Sequence, residues 1–302
     1  MSSAPDPPDP AQDASGSTPE PVDPDSPDGA PTSAPPRPKR ALGQNFLVDR
    51  NIQRRIIEVA DFTPGDEVLE IGPGQGALTR HLAGAVERLI LVELDNALAR
   101  RLIDEYRGRP EVEVIHGNVL DLDLAAVSRD VSSLRVIGNI PYNITAPILF
   151  KFLERPRARD ILLMVQREVA DRIVADAGTG AYGALAVGVR SVARVEQLLP
   201  VPRTAFRPVP KVDSSIIRVT PLDPPPLSQD EEERLRTLTR AAFQWRRKQF
   251  QKTLRDHPDL ALSREAVERL QAEAGMDLTR RPETFSPESF IRLSTIMAGL
   301  EV

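Results

Sequence analysis

From about residue 50 onward, apolar residues recur at two alternating spacings. Ile52, Ile56 and Val59 share one face of a helical stretch over 49–60, and Asp49 stands where a capping side chain belongs. Thr63, Pro64, Gly65 and Asp66 read as a turn. The run Glu67-Val68-Leu69-Glu70-Ile71 is short, mostly apolar and bounded by turn residues, the pattern of a buried strand. Comparable runs follow at 89–93, 112–115, 134–138 and 161–165. Helical spacings separate them: Leu78 and Leu82 after a glycine cluster, then 96–106, then about 145–154. Such alternation predicts a mainly parallel sheet covered on both faces, an α/β domain.

Past residue 166 the rhythm loosens. Helices are expected around 167–175 and over about 182–193, with Gly178 and Gly180 turning the chain between them. The segment 200–211 holds Pro200, Pro202, Pro208 and Pro210, too many prolines for a central strand. A strand over 215–220 closes the unit, and Pro221 to Pro226 read as a linker. From 229 on, Leu and Ala fall at helical spacing with no β-like runs. The expected organisation is an α/β domain over 37–222 and a small all-helical domain over 228–302.

Residues 1–36 stand apart. They hold eleven prolines and seven carboxylates, with no Lys or Arg and little that could build a core, so a disordered acidic tail is expected. That tail more than accounts for the net charge of −5. The rest of the chain is slightly basic, so the acidic total does not argue against a nucleic-acid partner. Basic residues cluster at Arg203, Arg207 and Lys211 and again at Arg246, Arg247 and Lys248; each cluster reads either as a phosphate-binding patch or as a solvated helix face. There is no cysteine, which excludes disulfides and thiolate chemistry, and His81, His116 and His257 lack zinc-ligand spacing. With no apolar run of membrane-spanning length and no signal peptide, a cytoplasmic protein without membrane contact is expected.

Four segments carry candidate chemistry. Glycines Gly72, Gly74 and Gly76 lie between a strand and a helix, where they allow a sharp turn and close approach to a ligand. Their spacing is G-x-G-x-G rather than the dinucleotide G-x-G-x-x-G. Glu93 ends the next strand, where a carboxylate can accept both hydroxyls of a ribose, whether of NAD or of S-adenosylmethionine; Asp95 takes the helix-cap role. Asn118, after the third strand, can reach the adenine of the same nucleoside. Asn139, Ile140, Pro141 and Tyr142 follow the fourth strand, at the sheet edge where α/β proteins bind ligands. They offer an amide, two backbone carbonyls held by a proline, and an aromatic face. An adenine amine is a poor nucleophile, because its lone pair is delocalised into the ring. Acceptors at the Asn139 side chain and the Ile140 carbonyl favour a pyramidal nitrogen, and alignment with a sulfonium methyl then supplies most of the acceleration. Tyr142 would stack on the base, worth roughly 1–3 kcal/mol. Phe206, in the proline-rich segment, is the candidate for the opposite face.

Taken together these segments resemble the ribosomal RNA adenine N6,N6-dimethyltransferase family over about residues 37–300. The matching stretches are 39–47, 70–79, 92–95, 138–143 and 206–214. The resemblance implies a Rossmann-like S-adenosylmethionine-dependent methyltransferase domain with a helical C-terminal domain. It implies cofactor contacts at Asn45, Leu47, Gly72, Glu93, Asn118 and Asn139, with Gln44 and Gly74 in the same segments, and a target base held by Asn139, Tyr142 and Phe206. The family usually has Asp where this chain has Asn118, so that contact loses charge assistance. Segments 181–185, 206–214 and 242–248 look like the branch that dimethylates two adjacent adenosines near the 3′ end of small-subunit rRNA late in ribosome biogenesis. The partner is then the small ribosomal subunit and its rRNA, met by a monomer. The alternatives are the large-subunit, antibiotic-resistance branch, a non-catalytic assembly factor, and a nicotinamide oxidoreductase, which would leave 139–142 without a purpose.

Overall fold

A computed structural model of the chain describes residues 44–141 and 144–300. The expected tail over 1–36, the start of the 39–47 stretch, and Tyr142 lie outside the described residues.

The chain starts with β1 (Phe46–Leu47) and α1 (Arg50–Ala60), which Asp49 caps by accepting from the Asn51 and Ile52 amides. Then come β2 (Glu67–Ile71), α2 (Thr79–Leu82), β3 (Arg88–Glu93), α3 (Asn96–Glu105), β4 (Val112–His116), α4 (Leu124–Val127), β5 (Arg135–Asn139), α5 (Thr145–Leu153), β6 (Asp160–Gln166), α6 (Arg167–Val174) and α7 (Ala184–Arg190). After these follow β7 (Ala193–Val201), β8 (Phe206–Arg207) and β9 (Ser214–Pro221), and four helices end the chain: α8 (Gln229–Gln244), α9 (Phe250–Asp256), α10 (Arg264–Ala274) and α11 (Pro287–Ala298).

Seven strands form one sheet in the order β4-β3-β2-β5-β6-β9-β7. From β4 to β6 it is parallel, as the alternation predicts; β9 pairs antiparallel with both β6 and β7. The second expected helix after residue 166 is shorter than its Val and Ala spacing suggests. It ends at Arg190, and 193–201 form β7 instead. Because β7 is an edge strand, it accommodates Pro200.

Alternation along the buried strands gives the sheet two apolar faces. Leu69, Ile71, Val136 and Ile161 pack into one core with α5; Val68, Leu89, Leu91 and Ile137 pack into the other with α1 and α2. A third cluster joins α8–α11 to Tyr182, Ala186 and Val187, and the Tyr182 hydroxyl donates to the Phe285 carbonyl at 2.8 Å. A capping box at Ser228 and Glu231 starts α8.

The amino edge of the sheet carries buried charge. Arg135 sits between Asp66, at 2.8 Å, and Asp160, at 2.7 Å, and also donates to the Ala60 and Asp61 carbonyls. Arg218 adds a longer contact to Asp160. The Arg135 guanidinium, together with two bonds from Thr63, holds the Asp66 carboxyl below its ordinary range against burial, which pushes the other way.

Candidate active site

The chain runs outward from β2 to β3 and β4, then returns to lay β5 on the other side of β2. Loops leaving the carboxyl ends of β2 and β5 therefore part in opposite directions and open a crevice. Backbone contact is tight beneath it: a Cβ on Gly138 would come within 2.9 Å of the Ile71 Cβ, so only glycine lets β5 lie this close to β2.

The pocket at this point is lined by the ends of four parallel strands and by the segment 44–47. Gly74 has φ +57°, and a Cβ there would meet the Phe46 ring at 3.2 Å; the glycine turn and the N-terminal segment close on each other. Glu93 is buried and accepts from the Gly74 amide at 3.0 Å and the Asp95 amide at 2.8 Å. Burial pushes its carboxyl up in spite of these donors. Asp95 caps α3, as its position suggests, and also accepts from Gln44 at 3.4 Å. Asn139 ends β5. Its Nδ2 donates to the Asn45 backbone carbonyl at 3.0 Å, which fixes the amide plane; its oxygen has no hydrogen-bond donor among the described residues.

Of the residues singled out from sequence, Gln44, Asn45, Leu47, Gly72, Gly74, Glu93, Asn118, Asn139, Ile140 and Pro141 all line this one pocket. Asn118 arrives there partly engaged. Its oxygen accepts from the Leu120 amide at 3.1 Å, capping a 3-10 turn, and its amide donates to Asp121 at 2.9 Å. Phe206 does not match the expectation of an exposed stacking ring. In β8, paired with β1, it turns inward and is fully buried beside Leu47 and Ile216, while Arg207 takes the outward position. An apolar ring on a two-residue strand joins the core that the strand covers, and the surrounding prolines hide this alternation.

None of the basic candidates lines the pocket. Arg203 and Lys211 are exposed and share a groove with Arg167 and Arg172. Arg207 folds back on the Phe206 carbonyl at 2.8 Å. Arg246 is paired with Glu283, Arg247 is exposed, and the Lys248 ammonium lies 3.6 Å from the centre of the Trp245 ring.

Of the pocket residues that were not singled out from sequence, three stand out. Phe46 covers the glycine turn. Leu94 is 52% exposed in spite of its size, a signal that it serves a ligand rather than the core. Glu70, a carboxylate inside an apolar strand, faces the cavity with the Thr79 hydroxyl donating to it at 2.7 Å.

A glycine turn and an acidic strand end suit any ribose-bearing cofactor. The amide at the end of β5 narrows the choice: methyl transfer to a base amine would use such an acceptor, and hydride transfer has no need of one. The lining also fits S-adenosylmethionine, with Glu93 able to take the ribose, Leu94 and Val119 as apolar surface for a ring, and the buried Glu70 carboxyl left for its cationic portion. Fold and pocket together define a Rossmann-like methyltransferase. The chain belongs to the ribosomal RNA adenine dimethylase family, whose profile matches residues 37–298, and S-adenosylmethionine is its methyl donor.

Among relatives, the ribosomal RNA small subunit methyltransferase A of Geobacter metallireducens is 41% identical over 271 residues, covering 87% of this chain and 97% of the relative. The solved structure of the 23S rRNA methyltransferase ErmE is 32% identical with a TM-score of 0.63, covering 83% of this chain and 98% of that one. A Plasmodium falciparum dimethyladenosine transferase has the same fold, with a TM-score of 0.71 at 24% identity, covering 85% of this chain and 98% of that one.

Proposed function

We propose that this protein dimethylates N6 of two adjacent adenosines near the 3′ end of small-subunit rRNA, late in small-subunit assembly. The observation that carries this reading is the Asn139 amide, pinned through Nδ2 to Asn45 with no donor to its oxygen among the described residues. One N–H of the target amine donates to that oxygen and the other to the Ile140 carbonyl, which localises the nitrogen lone pair. Bound S-adenosylmethionine supplies the electrophilic sulfonium methyl. Glu93 and the turn at Gly72 and Gly74 hold the cofactor, and Pro141 keeps the acceptors in place, so alignment provides most of the rate. Tyr142 stacks on the base after it leaves the RNA stack, which offsets part of a cost of a few kcal/mol. Arg203 and Lys211, with Arg167 and Arg172, and the exposed cations at Arg247 and Lys248 bind phosphates.

The small-subunit reading is favoured by the name and near-complete coverage of the Geobacter relative; ErmE, which is named for 23S rRNA, is less similar. We take the protein to act as a monomer in the cytoplasm. Among the described residues no helix is long and apolar enough to cross a membrane. The test is methyl transfer from labelled S-adenosylmethionine to unmethylated small subunits, with naked large-subunit rRNA in parallel, and mapping of the product by mass spectrometry. Dimethyladenosine at two adjacent positions near the small-subunit 3′ end is the expected result. Modification of large-subunit RNA alone would move the protein to the resistance branch, and binding without transfer would favour an assembly factor.

A further inference from the structure

Two carboxylates reach the cofactor pocket from neighbouring strands, and they are held differently. Glu93 receives backbone amides from both sides of the pocket. Glu70, 3% exposed, has the hydroxyl and amide of Thr79 as its donors. Three charged or titratable groups face it. Glu93, from β3, repels it. Arg80, on α2, acts from a distance, because its guanidinium is turned onto the Gly76 and Gln75 carbonyls. Tyr106, at the end of α3, has its hydroxyl pushed up to about 12, mainly by burial. No Lys, Arg or His forms an ion pair with Glu70 among the described residues. A buried carboxylate without a cation strongly favours its neutral form. Burial here pushes the Glu70 carboxyl up to about 7.

The ligand of this pocket is cationic: S-adenosylmethionine carries an ammonium and a sulfonium. Resting on the cofactor assignment, we propose that Glu70 is the counter-charge for that cation, a neutral acid in the free protein below neutrality that ionises when the cation binds, so that cofactor binding there expels a proton to solvent. Glu70 is then a determinant of which cofactor species the pocket prefers. It also links occupancy to pH: with the neutral form predominant below neutrality, affinity rises as pH rises toward 7 and levels off above it.

Calorimetric titration in buffers of different ionisation enthalpy tests this by counting protons. S-adenosylmethionine is expected to release close to one proton near pH 6 and almost none near pH 8, on the order set by the Glu70 shift. The variant Glu70→Gln should bind without release. Thr79→Val, which keeps the carboxyl but removes the hydroxyl donor that favours its charge, should extend release to higher pH. S-adenosylhomocysteine, with the ammonium alone, and 5′-methylthioadenosine, with neither cation, identify the group sensed. Release with both S-adenosylmethionine and S-adenosylhomocysteine points to the ammonium, and with S-adenosylmethionine alone to the sulfonium. Binding without proton release, equal release in Glu70→Gln, or release with 5′-methylthioadenosine would overturn the proposal while leaving the cofactor site intact. Failure of S-adenosylmethionine to bind at all would instead remove the site assignment.

Discussion

The two edges of the central sheet solve the problem of buried charge in opposite ways. At the amino edge, Asp66 and Asp160 are paired within the chain with Arg135, whose Nη1 and Nη2 also donate to the carbonyls of Asp61 and Ala60 while its Nε has no partner among the described residues. At the carboxyl edge, Glu70 and Glu93 are as deeply buried, yet amides and a hydroxyl are the partners they have. The difference is chemical as well as geometric. The amino-edge network holds Asp66 low and stabilises the fold, whereas the carboxyl edge raises Glu70 and Glu93.

Substitutions can break that contrast from either side. The largest effect is expected at the amino edge: Arg135→Met strands two buried carboxylates and should cost about 3–5 kcal/mol in chemical denaturation, while cofactor affinity measured on the folded fraction stays near wild type. At the carboxyl edge, Asn139→Ala should lower single-turnover methyl transfer by about 10²–10³-fold, with cofactor binding reduced but detectable by calorimetry. Full retained turnover would take Asn139 out of the mechanism. Glu93→Ala should mainly weaken cofactor binding, by about 10–100-fold, with little change in melting temperature. A smaller, pH-dependent effect is expected at Glu70. Its carboxyl lies near 7 in the folded chain against an ordinary 4.5, so between those values the folded state holds the extra proton and stability falls as pH rises. Glu70→Gln removes that fall, and thermal melts of the free protein should favour the variant by about 1–3 kcal/mol at pH 8 and by little at pH 5.

Much of this architecture is legible in the chain, because a strand buried on both faces writes itself as an apolar run between turns. The runs ending at Ile71, Glu93 and Asn139 therefore locate the sheet edge and most of the pocket. Features set by alternation over two or three residues, or by distant partners, are hidden. Val192 and Ala193 continue a helical spacing, so the start of β7 is masked. Phe206 sits among prolines that suggest an exposed loop, but pairing with β1 turns it into the core. The Arg135 network joins residues from four separate elements, and no local pattern announces it. Glu70 stands in the sequence as an acid inside an apolar strand, yet its significance depends on its forming no ion pair among the described residues, which only the fold reveals. Asn118 reads as a ligand contact, and the structure adds that Asp121 and the Leu120 amide already hold it.

Hydrogen–deuterium exchange with and without S-adenosylmethionine puts the contrast between the two edges to the most direct test. The account predicts cofactor-dependent protection at 44–47, 72–76, 93–95 and 117–119, with the amino-edge segments around Asp66, Arg135 and Asp160 unchanged. Protection concentrated at the amino edge, or none at the carboxyl edge under saturating cofactor, would contradict it.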